Sequence, residues 1–201
     1  MFIIGITGGT GTGKTAALRV LRTLGALTLD CDKIYHSLLL SDAGLISELG
    51  ARFGDVLIDG AIDRKRLRDI VFSDPAALLE LNSITHKYIS AEIERQIAEW
   101  AAKGGKVAVI DAIALIESGT AQKCDAIIGF TSPMESRISR IMRRDGITLE
   151  QAQMRINAQK PDSYYKVNCD YIFENNHKSS AEFKEKCKHF FESLLQEKGG
   201  Q

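Results

Sequence analysis

The 201-residue sequence predicts an α/β fold, a three-layer parallel sheet covered by helices on both faces and carrying two helical insertions. Three observations predict it. Short apolar runs alternate with stretches of helical periodicity, the pattern of strands joined by crossover helices. Those runs are almost continuously apolar, as suits strands buried on both faces. The interval 30–105 holds no convincing central strand beyond its first residues, and it is far longer than an ordinary connection.

The first strand is assigned to residues 2–7. It runs into Gly8-Gly9-Thr10-Gly11-Thr12-Gly13-Lys14-Thr15, and Ala16-Ala17-Leu18-Arg19-Val20-Leu21 leaves as a helix. Gly8-x4-Gly13-Lys14-Thr15 fits the phosphate-binding loop with every fixed position filled. Glycines let the backbone curl so that successive N–H groups face phosphate oxygens. The helix N-terminus adds partial positive charge, Lys14 reaches the outer phosphates, and the Thr15 hydroxyl ligates Mg2+. The bland alternative, a turn that merely links strand to helix, is disfavoured by both flanks. The chain is therefore expected to bind a nucleoside triphosphate through Gly9, Gly11, Thr12, Gly13, Lys14, Thr15 and Ala16, with Lys14 also catalytic.

The second strand, 26–29, delivers Asp30-Cys31-Asp32. The third, 106–110, ends in Asp111; the fourth and fifth are 126–130 and 171–173. Ligands of a parallel sheet bind beyond the carboxyl ends of its strands, so the loop, Asp30, Asp32 and Asp111 should share one edge. Asp32 is assigned as the base that accepts the proton of an attacking hydroxyl. Asp30 reads equally well as a cap for the helix that follows. Asp111 stands where an acidic residue helps to hold Mg2+, and it also counts among the acceptor-side residues.

Several helix starts are signposted. Asp74 precedes Pro75, Ser132-Pro133-Met134-Glu135 combines a capping box with an initial proline, and Thr148 and Gln151 form a second box. Helical material fills 34–40, 44–53, 63–72 and 76–102, so 34–103 is read as a helical substrate domain. The nucleotide-binding core takes 1–33, 104–135 and 163–201, with 136–162 as a helical lid. Residues 198–201 are expected to fray.

Within the lid, Arg137, Arg140 and Arg144 recur on one helix face. A solvated face usually explains such runs. Here lysine is absent, and arginine's planar fork suits phosphates and bases. Arg140 and Arg144 are assigned to the nucleotide, while Arg137 and Arg155 are left nearer the solvated reading. His86, in Leu81-Asn82-Ser83-Ile84-Thr85-His86, joins Asp32 and Asp111 as an acceptor-side candidate, although a lone helical histidine is more often structural. Trp100 and Phe190-Phe191 read as core.

Composition narrows the classes. A formal charge of zero advertises neither nucleic acid nor an anionic membrane as partner. Four widely spaced cysteines read as reduced thiols rather than a metal site. No apolar run is long enough for a bilayer, and the first strand leaves no room for a signal peptide, so a cytoplasmic monomer is expected.

These residues together resemble the dephospho-coenzyme A kinases over nearly the whole chain. The resemblance runs from the phosphate loop through Asp30-Cys31-Asp32-Lys33-Ile34, Asp59-Gly60-Ala61-Ile62-Asp63-Arg64 and Val71-Phe72-Ser73-Asp74-Pro75. It continues through Arg140-Ile141-Met142-Arg143-Arg144-Asp145-Gly146, then Arg155, Gln159 and Asn175. It implies a P-loop kinase that moves the ATP γ-phosphoryl to the ribose 3′-hydroxyl of dephospho-coenzyme A, with Asp32 as base and Arg140 and Arg144 as lid arginines. Two departures stand out. His86-Lys87 replaces the family's His-Pro, and Asp111-Ala112-Ile113-Ala114-Leu115-Ile116-Glu117 replaces Asp-x-Pro-Leu-Leu-Phe-Glu. The alternatives are a kinase for another small alcohol or nucleotide, and a non-catalytic nucleotide-binding protein. A GTP switch is disfavoured by the lack of Asn-Lys-x-Asp.

Overall fold

A computed structural model describes residues 1–177 and 179–199; the expectation of fraying at Gly200 and Gln201 lies outside them. The chain divides into two compact units, Met1–Leu29 with Trp100–Gln201, and Asp30–Glu99.

The first unit is built on a parallel sheet. Its strands are β1 (Phe2–Gly8), β2 (Leu27–Asp30), β5 (Val107–Asp111), β6 (Ala126–Thr131) and β7 (Tyr171–Glu174). Their order is β2-β5-β1-β6-β7. β1 is central, pairing in parallel with β5 through Ile6 and Asp111 and with β6 through Gly8 and Phe130. Helices α1 (Lys14–Thr23) and α9 (Ser180–Gly199) pack against each other. With Ile4, Ile6, Val109 and Ile128 from the sheet, they enclose Leu18, Leu21, Phe130, Phe183 and Phe191. Each such large side chain contributes about 1.5–3 kcal/mol when fully buried. Phe173 joins this layer by ring contacts to Phe130, Phe183 and Phe190. Helix α8 (Asp162–Asn168) meets β1, β6 and β7.

Helices α6 (Met134–Asp145) and α7 (Leu149–Asn157) pack together on their own small core of Ile141, Ala152 and Ile156. Gly146, in the left-handed region at φ 65°, stops α6. The expected box at Thr148 and Gln151 starts α7. The expected box at Ser132 does not form. Pro133 is the residue before α6, and the buried Ser132 hydroxyl donates instead to the Asn175 carbonyl at 2.6 Å. A partner 43 residues away outcompetes the local cap.

The second unit holds α2 (Cys31–Ser41), α3 (Ala43–Phe53), α4 (Arg64–Ser73) and most of α5 (Pro75–Ala102). Leu38, Leu45, Leu49, Leu67 and Ile93 are among its buried residues. Asp30, Asp42 and Asp63 cap α2, α3 and α4 with their side chains. Asp74 accepts from the Ala76 amide at 2.8 Å, as its place before Pro75 predicts. A small hairpin, β3 (Leu57–Ile58) and β4 (Ala61–Ile62), lies in this otherwise helical interval. Asp59 and Gly60 both have positive φ, 50° and 80°, which suits the tight turn of a two-residue hairpin loop. Lys87 lies within the continuous α5 and pairs with Glu48 at 3.1 Å.

Candidate active site

The centre of the first unit is the loop between β1 and α1. Thr12 is fully buried and its hydroxyl donates to the Gly9 carbonyl at 2.8 Å, holding the loop curled. Gly13 precedes α1 at φ 110°, and a Cβ there would stand 2.5 Å from Asn175 Nδ2 and 2.9 Å from Phe183 Cζ. Only glycine meets both demands. The first turn of α1 carries no acidic residue, so the helix's positive end is unopposed within its own element. Lys14 Nζ donates to the Gly8 and Gly9 carbonyls, the latter at 3.1 Å. Thr15 is exposed and Ala16 half-buried.

Three arginines of α6 reach this loop. Arg137 is 6% exposed; its Nε donates to the Thr10 carbonyl at 2.9 Å, and its Nη1 lies 3.7 Å from Asp162. Arg140 Nη1 donates to the Gly11 carbonyl at 2.9 Å and to the Ser132 hydroxyl at 2.8 Å. Burial, with the like charge of Arg143 second, pulls the Arg140 pKa below its ordinary value. Arg144 is more exposed and lies 3.4 Å from the Thr10 hydroxyl. Asp145 accepts from Arg144 at 2.7 Å and from Arg155 at 2.6 Å. The bond from Arg144, then the charges of both arginines, hold its carboxyl below the usual range. The solvated-face reading thus fails most clearly at Arg137, the buried member of the row.

A cavity of about 660 Å³ adjoins the loop, lined among others by Gly13, Ala16, Arg140, Arg143, Asn175 and His177. That is within the size of small-molecule sites, ~300–1,000 Å³. Asn175 is 3% exposed; its Nδ2 donates to the Thr12 carbonyl at 2.9 Å, while its Oδ1 is buried without a partner among the described residues. Asn175 directly follows β7, so the strand-end rule could have assigned it a role. Gln159, which accepts from the Thr10 amide at 2.8 Å, carries no such local signal.

Asp111 ends β5, in register with Ile6 of β1. The altered stretch after it is pinned: the buried Thr7 hydroxyl donates to the Ile113 carbonyl at 3.0 Å, and Leu115 is fully buried. Asp32 and His86 belong to the second unit. Asp32 is exposed on the first turn of α2, and it is Asp30 that caps this helix, accepting from the Lys33 amide at 3.1 Å. His86 sits half-buried in α5, where desolvation lowers its pKa.

The comparisons with known proteins agree with this chemistry. The family model described as dephospho-CoA kinase matches residues 2–181. A dephospho-CoA kinase of Geobacter sulfurreducens is 35% identical over 178 residues, covering 88% of this chain and 90% of the relative. One from Aromatoleum aromaticum is 38% identical, covering 87% and 85%. The solved structure of the Campylobacter jejuni dephospho-CoA kinase superposes with a TM-score of 0.71 at 26% identity, covering 99% of this chain and 98% of that one.

Proposed function

The chain belongs to the dephospho-CoA kinase family, and from that premise we propose that it transfers the ATP γ-phosphoryl group to the ribose 3′-hydroxyl of dephospho-coenzyme A. The products are coenzyme A and ADP, the last step of coenzyme A biosynthesis. The observation that carries this reading is the phosphate loop with Lys14 inside it and the α6 arginines around it. Phosphoryl transfer asks a protein mainly for positioning and charge stabilisation, and this arrangement supplies both.

In the proposed mechanism the loop amides and the α1 terminus hold the phosphate chain. Lys14, Arg140 and Arg144 offset the charge that spreads over the transferred group. Asp32 takes the proton as the acceptor hydroxyl forms its bond to phosphorus and the bond to the ADP oxygen breaks. The cavity beside Asn175 and His177 takes the nucleoside of ATP. Residues 34–103 act as the acceptor domain, with His86 and Asp111 on the acceptor side, and 136–162 act as the lid. All of these residues come from one chain, so a monomer suffices.

Mg2+ fits the donor set. Thr15 and Asp111 offer hard oxygens, one from a hydroxyl and one from a carboxylate. Magnesium favours such a site because it keeps several waters and takes further ligands from the phosphates. Held by Thr15 and Asp111, it would neutralise part of the phosphate charge. No helix among the described residues is long and apolar enough to cross a membrane.

A coupled ADP-release assay comparing dephospho-coenzyme A with a panel of nucleosides and sugars tests the reading. Turnover is expected with dephospho-coenzyme A in clear preference, and a preference for any other alcohol would overturn the acceptor assignment. Arg140→Ala and Arg144→Ala are expected to raise the KM for ATP by roughly ten- to a hundredfold, the worth of a charge-assisted hydrogen bond. The KM for the acceptor should stay nearly unchanged. Steady-state kinetics with each substrate varied separately decides this, and an effect confined to the acceptor would place α6 elsewhere in the reaction.

A further inference from the structure

Thr10, at the apex of the phosphate loop, has both of its backbone polar groups taken by side chains from distant segments. Gln159 Oε1, from the connection between α7 and α8, accepts from the Thr10 amide at 2.8 Å. Arg137 Nε, from the first turn of α6, donates to the Thr10 carbonyl at 2.9 Å. The two side chains also bond each other, Arg137 Nη2 to Gln159 Oε1 at 3.0 Å. Three hydrogen bonds thus close a ring that joins the loop, α6 and the α7–α8 connection. Burying a guanidinium is costly unless it is paired and fully bonded, and here Asp162 supplies the charge partner at 3.7 Å. The loop leaves room for the ring: a Cβ on Gly9 would stand 2.3 Å from Arg137 Nη2 and 3.0 Å from Gln159 Oε1.

The ring lies one turn before Arg140 and two turns before Arg144 on the same face of α6. Both of those arginines touch the loop on neighbouring residues, Arg140 at Gly11 and Arg144 at Thr10. We propose that Gln159, through Arg137, is a positioning residue for phosphoryl transfer. It sets the register of α6 on the phosphate loop, so that Arg140 and Arg144 arrive where the γ-phosphoryl charge develops. It acts without touching the nucleotide. This rests on the kinase reading, because the register matters only if those arginines serve ATP.

The test is Gln159→Met, which keeps the length of the side chain and removes the shared acceptor. The expected result is a rise in the ATP KM of roughly tenfold, from the loss of two hydrogen bonds. The dephospho-coenzyme A KM should stay within about twofold, and Tm should fall by no more than about 8 °C. A double-mutant cycle with Arg144→Ala then separates positioning from general support. If Gln159 works through the arginines, its replacement should matter far less once Arg144 is gone. Independent, multiplying effects of the two substitutions would overturn the proposal, as would equal losses toward both substrates or an unchanged ATP KM. Wild-type turnover is measured first, so failure of the kinase reading shows there and failure of the coupling shows in the variants.

Discussion

Lys14→Ala is expected to lower kcat by at least about a hundredfold, the usual effect of removing one preorganised donor from a developing oxyanion. The ammonium is held inside the loop by the Gly8 and Gly9 carbonyls, at the place proposed for the phosphates. Its loss removes positive charge from the transition state, and also two hydrogen bonds to the loop's own carbonyls. That second effect is small. A net hydrogen bond is worth about 1 kcal/mol, or roughly 2–4 °C of Tm in a chain of this size. The core between α1 and α9 is built of apolar side chains such as Leu18, Leu21, Phe183 and Phe191. Turnover and thermal melting measured on one preparation separate the two effects. Activity near that of the wild type would remove Lys14 from the chemistry and leave the loop without its assigned purpose.

The second large effect is expected at Asp32. Asp32→Asn keeps the size of the side chain and removes its charge and proton acceptor. If Asp32 is the base, kcat should fall by roughly two to four orders of magnitude. The fold sharpens this test. Asp30, not Asp32, accepts from the Lys33 amide and caps α2, so a loss at Asp32 cannot be attributed to a missing cap. The remaining structural cost is the interaction of a first-turn carboxylate with the helix dipole, about 0.3–1 kcal/mol. ATP affinity, carried by the loop, should persist. Calorimetric ATP binding alongside kcat checks the pair of outcomes, and a retained kcat would send the search for a base elsewhere.

What the sequence shows locally, it shows well. The phosphate loop is a contiguous motif between an apolar strand and a helix, and β1, β5 and β6 are apolar runs that only a covered sheet accommodates. Asp74 and Thr148 start helices because their partners lie two or three residues on. The errors come from distance along the chain. Ser132 has the chemistry of a cap but is drawn to Asn175, and Arg137 has the spacing of a solvated face but is buried against Thr10, 127 residues earlier. Gln159 carries no periodicity, cap or strand end to mark it; only the fold brings it to the loop. The hairpin β3–β4 is hidden in the sequence for another reason. Its strands are two residues each, too short for any period to register, although Asp59-Gly60 is a recognisable turn pair.

The two compact units also bear on how this protein could be taken apart. Domain borders usually fall in exposed, polar linkers that proteases cut and that recombination can exchange. Here both crossings lie inside regular structure, one at the last residue of β2 and the other between Glu99 and Trp100 within α5. Neither offers a protease an unfolded stretch to enter, and neither could be severed without cutting a strand end or a helix. The Asp30–Glu99 unit is therefore no interchangeable cassette. A chimera that imports it from a relative must splice in mid-helix and keep the helical phase of α5 on both sides of the seam. Substitution of single side chains, by contrast, leaves both crossings whole.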